Sequence, residues 1–224
     1  VPGPGLPVCA AAGEQSGPVM SGDGLGGALV AWVDRRGGTP DIYARRIDLA
    51  GFPVGTWGVD GFAVCTAAGS QVAPAIVDDG AGGAIVAWED RRVAFDANVY
   101  AGHVRGTGVV DSDWPVDGRA ISTAPNDQVA PVLVTDRAGG AILAWKDFRV
   151  DFYDYYADLY AMRVWSDGLP GEKAPAITTV LDVPNDQGGW VYLYWLGSVL
   201  DPDPDGVRNV FRYTVWRDVP FALA

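Results

Sequence analysis

The sequence predicts an all-β protein: three antiparallel four-stranded sheets of β-propeller type, forming part of a ring, followed by part of a β-sandwich. Three observations predict it. First, the string Gly-Gly-Ala-Leu-Val-Ala-Trp-Val-Asp-Arg-Arg at residues 26–36 returns at 82–92 and, with Phe148 for its first arginine, at 139–149. Trp32, Trp88 and Trp145 are thus 56 and 57 residues apart. A fixed period of this size marks one supersecondary unit stacked beside copies of itself. Second, apolar runs are short and bounded by turn residues, with no helical periodicity. Third, 25 acidic residues are Asp and only three are Glu, beside 30 Gly and 16 Pro. Asp bonds its own backbone in turns, whereas Glu favours helices.

The second copy shows why each element forms. Gln71 to Val77 reads as a strand, with Pro74 near its start where no ladder hydrogen bond is lost. Asp78 to Gly83 is a turn whose glycines accept positive φ. Ala84 to Trp88 is apolar on both faces, as a strand inside a stack requires. Asp90 to Ala97 is a polar connection, and Asn98 to Val104 a third strand. Trp114, Asp117, Gly118 and residues 119–122 make a fourth. The repeat region spans 1–165, with copies at about 15–66, 71–123 and 128–164. The segment before Gln15 reads as the last strand of an earlier copy. A continuous β-sandwich would not need the strict period, and a β-helix would need a shorter one. Closed propellers use roughly four to eight such sheets, so three imply a slice of a longer propeller or an open arc.

The period breaks after Trp165, and residues 166–175 read as a linker rich in Gly, Pro and charge. Residues 176–224 form a second unit, with alternating strands expected at 190–195 and 210–217 on either side of an acidic turn.

Bulk composition excludes several function classes. With 49% hydrophobic residues the chain can fill a core. A net charge of −12 opposes binding to nucleic-acid phosphates or to an anionic membrane. No apolar run reaches the roughly 18–20 residues of a membrane-spanning helix. The first residue is Val1, so any export signal is expected to lie outside these residues.

The string around Trp32, followed by Asp41-Ile42-Tyr43-Ala44-Arg45-Arg46, resembles the repeats of large secreted bacterial proteins with sialidase-like propellers. Residues 176–224, with Tyr213-Thr214-Val215-Trp216-Arg217, resemble the opening half of a fibronectin type III module. The resemblance implies a secreted or cell-surface multidomain protein. It departs from the sialidase motif Ser-x-Asp-x-Gly-x-Thr-Trp, because Trp32 follows Asp23 by nine residues rather than five. It therefore bears on fold, not on catalysis.

The recurring trios Trp32, Asp34 and Arg36, Trp88, Asp90 and Arg92, and Trp145, Asp147 and Arg149 are read as structural. Catalysis needs unlike groups converging on one point, whereas these serve each copy alike, at hairpin ends and between sheets. Tyr43, Tyr100 and Tyr160 are likewise packing residues. His103, the sole histidine, stands at the position of Arg46 and Arg163 and is expected to pair rather than act as a base. Cys9 and Cys65 share a repeat position with Ser122 and read as small buried thiols. One His and two such Cys cannot supply a zinc site. Asp201, Asp203 and Asp205 echo a calcium loop, but Arg212 stands where its closing glutamate belongs, leaving an acidic connection as the competing reading. The insertion unique to the third copy, with Asp151, Tyr153, Asp154, Tyr155 and Tyr156, suits carbohydrate or protein contact or packs on itself.

No cofactor is expected and no catalytic residue is assigned. The leading expectation is a non-catalytic extracellular binding or display scaffold, joined to further sheets and domains of a parent chain. The alternatives are a fragment of a glycan-processing enzyme of sialidase or glycoside-hydrolase type, and a structural spacer.

Overall fold

The computed structural model describes residues 5–93, 95–150, 156–171, 176–182 and 191–196. These residues form an all-β structure of antiparallel sheets, none of them closed, with a single 3-10 turn at Gly55–Trp57 and no α-helix. The chain divides into two compact units, Val1–Pro170 and Gly171–Ala224.

In the first unit, β1 (Gln15–Gly22), β2 (Ala28–Asp34), β3 (Asp41–Ile47) and β4 (Phe62–Cys65) form sheet 1 in sequence order. Strands β5 (Gln71–Asp78), β6 (Ala84–Asp90), β7 (Asn98–Val104) and β8 (Arg119–Ser122) form sheet 2 the same way. Sheet 3 holds β9 (Gln128–Thr135), β10 (Ala141–Asp147) and β11 (Asp158–Val164), three strands among the described residues where the sequence predicts four. The registers coincide: Trp32 faces Tyr43, Trp88 faces Tyr100, and Trp145 faces Tyr160.

The prolines of the first strands lie inside them rather than at their starts. The ladder shifts register between Ser16 and Val19 and between Val72 and Ala75, around Pro18 and Pro74. Ala73 and Ala130, each preceding a proline, sit at φ 50° and 52°. A bulge leaves a backbone position outside the ladder, so a residue without an N–H fits there as well as at a strand end.

Two apolar cores separate the sheets. Leu29, Ala31, Ile42 and Ala44 of sheet 1 meet Ile76, Val86 and Trp88 of sheet 2. On its other face, Ile85, Ala87 and Val99 of sheet 2 meet Leu143, Trp145 and Val164 of sheet 3. Burial follows from this stacking. Strand β6 is buried at every position except Glu89, whereas β10 alternates, with Ile142 and Lys146 exposed. An apolar strand with two covered faces needs neighbours on both sides.

In the second unit, β12 (Ala176–Asp182) pairs antiparallel with β13 (Val191–Leu196). The expected strand at 210–217 lies outside the described residues. No helix among the described residues is long and apolar enough to cross a membrane.

Candidate functional site

The recurring trios form one cluster per sheet, at the end of each central strand. In sheet 1, Trp32 Nε1 donates to Asp34 Oδ2 at 2.8 Å, and Arg36 Nη2 donates to the same oxygen at 2.6 Å. Arg36 donates its backbone N and its Nε to Asp34 Oδ1, both at 2.9 Å. The guanidinium lies 3.9 Å above the Tyr43 ring. Asp90 receives the same four bonds from Trp88 and Arg92, and Asp147 from Trp145 and Arg149. Arg92 lies over Tyr100 and Arg149 over Tyr160, at 4.0 and 3.8 Å.

The spacing explains the geometry. Trp and Asp two residues apart point to the same face of a strand, and the arginine two residues further sits in the turn, able to fold back. Each carboxylate offers about four lone-pair sites, and here all four are filled. Burial pushes the Asp34 carboxyl up, but the bonds from Arg36 and Trp32 outweigh it and hold it at about 2. Asp147 is lowered by the same balance. These carboxylates have no free site with which to take a proton from, or hydrogen-bond to, a substrate.

Each cluster also reaches the neighbouring sheet. Arg92 Nη2 donates to the Asp117 carbonyl at 2.6 Å and lies 3.4 Å from Cys65 Sγ, at the end of sheet 1. Arg149 Nη2 lies 3.4 Å from Ser122 Oγ, at the end of sheet 2. Arg36 holds Cys9 Sγ at 3.2 Å and the Asp60 carbonyl at 2.7 Å, although Cys9 belongs to no strand among the described residues. Both cysteines are free thiols. Burial pushes the Cys65 thiol up to about 12 and raises that of Cys9 as well.

A second constellation occupies the opposite end of each first hairpin. Asp23 Oδ1 accepts from the N–H groups of Leu25 and Gly27 at 2.8 and 2.7 Å, and its Oδ2 accepts from Arg46 Nε at 2.8 Å. Asp136 binds Ala138, Gly140 and Arg163 in the same way. In sheet 2 the cation's place is taken by His103, whose Nε2 lies 2.9 Å from Asp79 Oδ2 and whose Nδ1 lies 2.9 Å from Asp111 Oδ2. Asp111 also accepts from Arg105. Burial pushes Asp111 up, but Arg105, the Asp113 N–H and His103 together hold it at about 2.

The sequence reading missed Asp23, Asp79 and Asp136 as a repeat set. The signal was present, since a glycine follows each by four residues at Gly27, Gly83 and Gly140. It also passed over Asp41, whose carboxyl is raised by burial and by the nearby Asp34 and Asp117 charges.

Asp151, Tyr153, Asp154 and Tyr155 lie outside the described residues, as do Asp201, Asp203 and Asp205. Tyr156 is described and exposed. It lies in the connection after β10, at the same end of the strand as the Asp147 cluster. Among the described residues no group of three His, Cys, Asp or Glu could hold a metal ion. Compared with known proteins, the chain matches no family model and no curated sequence.

Proposed function

We propose that the three sheets are blades of a β-propeller-type array that serves, outside the cell, as a non-catalytic scaffold for binding or displaying carbohydrate or protein ligands. The stacking supports the architecture: sheets of one strand order lie face to face over two apolar cores. One observation carries the function. The carboxylates repeated between a tryptophan and an arginine are saturated by four donors in every sheet. Such groups hold a framework together and have no lone pair left for chemistry.

The connections leaving those clusters supply the variable part. They run six residues between β2 and β3, seven between β6 and β7, and ten between β10 and β11. Constant clusters under loops of changing length are the arrangement by which a rigid scaffold carries recognition. The longest of these three connections holds Asp154, Tyr155 and Tyr156, a composition suited to stacking on sugar rings with carboxylates accepting from hydroxyls.

A glycan array probed with the whole chain, and with a variant carrying Asp154→Ala, Tyr155→Ala and Tyr156→Ala, tests this reading. Binding by the parent that the variant loses is the expected result. Absence of signal from both leaves the spacer reading in its place.

A further inference from the structure

The two outermost faces of the first unit expose positions whose counterparts the chain covers between its own sheets. On sheet 3 the outward face carries Val132, Val134, Ile142 and Leu159, exposed at 61%, 60%, 45% and 81%. The matching positions of sheet 2 are Val77, Ile85 and Val99 for the last three, at 8%, 0% and 0%, because sheet 3 covers them. On sheet 1 the outward face carries Met20, exposed at 66%, where sheet 2 has Ile76 at 7%. Beside Met20 a groove is lined by Pro18, Val30, Trp32, Val8 and Cys9.

Residues 8–11, beside that groove, repeat the contacts made at the end of β4. Cys9 meets Arg36 as Cys65 meets Arg92. The Ala10 N–H donates to Asp60 Oδ1 at 2.8 Å, as the Thr66 N–H donates to Asp117 Oδ1 at 2.9 Å. Cys65 and Thr66 mark the end of a fourth strand, and Cys65 pairs with Ile42 just as Ser122 pairs with Val99. Residues 8–11 therefore stand where the fourth strand of a preceding sheet would end. Sheet 3 is the complement, since β11 forms its edge among the described residues and has Leu159 at the position of Ile42 and Val99.

We infer that sheet 3 of one chain docks on the Met20 face of a second copy, with residues 8–11 of that copy running along β11 so that Cys9 lies opposite Leu159. The occupant follows from continuity, because this contact repeats the sheet 1–sheet 2 and sheet 2–sheet 3 interfaces with the residues already evolved for them. Applied reciprocally, the contact joins the three sheets of each of two first units into a ring of six, within the roughly four to eight that closed propellers use. The closure rests on the propeller reading above; the ligand reading is independent of it.

Sedimentation velocity of the 224-residue chain tests the inference, with a mass twice the 23.6 kDa of one chain as the expected result. Met20→Asp and Val134→Asp each turn the dimer into monomer. An equimolar mixture of the two regains dimer, because one of its two contacts pairs two unaltered faces. Leu159→Cys, oxidised under mild conditions, gives a dimer in which the introduced thiol of one chain is linked to Cys9 of the other, and reducing agent dissolves it. A monomeric parent, species growing beyond two copies, or a disulfide from Cys9 to the introduced thiol of the same chain each overturns it. A monomer that still binds glycan fails the ring alone and leaves the scaffold function standing.

Discussion

Arg92 Nη2 lies 3.4 Å from Cys65 Sγ, so the guanidinium that closes the cluster of sheet 2 rests on the last residue of sheet 1. The same side chain is tied to Asp90 at 2.6 Å and lies over Tyr100. One arginine therefore serves hairpin closure, aromatic packing and the sheet-to-sheet contact together.

Asp90→Asn is expected to destabilise the first unit by about 3 kcal/mol, since removing one partner of a buried pair strands the other charge. The Asp90 side chain is fully buried and that of Arg92 is 20% exposed, so water can replace little of the loss. Urea unfolding followed by tryptophan fluorescence measures the change; a midpoint equal to the parent's refutes this role for the cluster.

Stability is expected to fall in acid. Asp34 and Asp111 are both held at about 2 in the folded chain against an ordinary value of 3.8. A depressed carboxyl pKa contributes stability that is full above the unfolded value and drains away as pH drops toward the folded one. Asp34 alone contributes about 2 kcal/mol at neutral pH on this reckoning. Melting temperatures recorded from pH 7 downward should hold until about pH 5 and then decline steeply between about pH 4 and 2. A flat profile across that window contradicts the assignment.

Asp41 has the opposite sign. Its carboxyl is raised by burial and by Asp34 and Asp117, so its ionised form disfavours the fold at neutral pH. Sheet 2 has Asn98 at this position. Asp41→Asn is expected to raise stability at pH 7, with the gain shrinking as acid protonates the parent. A loss at pH 7 would show that Asp41 makes a contact its charge is needed for.

Gly118 sits at φ +85°, and a Cβ there would run into the Trp88 ring and approach the Ala101 carbonyl at 2.9 Å. Gly61 stands in the same relation to Trp32, at φ +89°. Gly118→Ala should cost about 2–4 kcal/mol through overpacking and backbone strain. Gly22→Ala, with open space around it, serves as the control. Equal melting temperatures for the two variants would dispose of the argument.

Thiol chemistry should separate the cysteines. Cys65 is buried with its thiol pushed up to about 12, whereas Cys9 is partly exposed. Since the thiolate is the reacting form, iodoacetamide at pH 8 should modify Cys9 first in the monomeric Met20→Asp variant, and Cys65 only after unfolding. Intact-mass spectrometry reads the order directly, and equal labelling rates in the folded chain would contradict the burial of Cys65.

The strands were legible because their apolar residues and bounding turns leave a period that propensity alone can read. Ala84 to Trp88 announced a strand covered on both faces, and β6 is one. Pro74 misled, because the missing N–H suits a strand start and a bulge equally, and only the partner strand's register distinguishes them. The surroundings of Arg36 were half visible: Asp34 is local in sequence, but the Asp60 carbonyl and Cys9 come from 24 and 27 residues away from Arg36. Contacts between sheets depend on which repeat stands next door, which no single repeat records. His103 illustrates the limit, since its alignment with Arg46 pointed to pairing but named no partner, and both Asp79 and Asp111 became apparent only in three dimensions.

The sharing of each arginine between two neighbours sets a rule for how such a gene can lengthen. Arg92 takes one contact from Asp117 within its own sheet and another from Cys65 in the sheet before. Duplicating a whole unit copies donor and acceptor together, so both new junctions are complete at once. Inserting a fraction of a unit would leave a guanidinium at one junction and its acceptors at none. Change in the number of sheets therefore comes in whole units, each of about the 56 residues that separate Trp32 from Trp88.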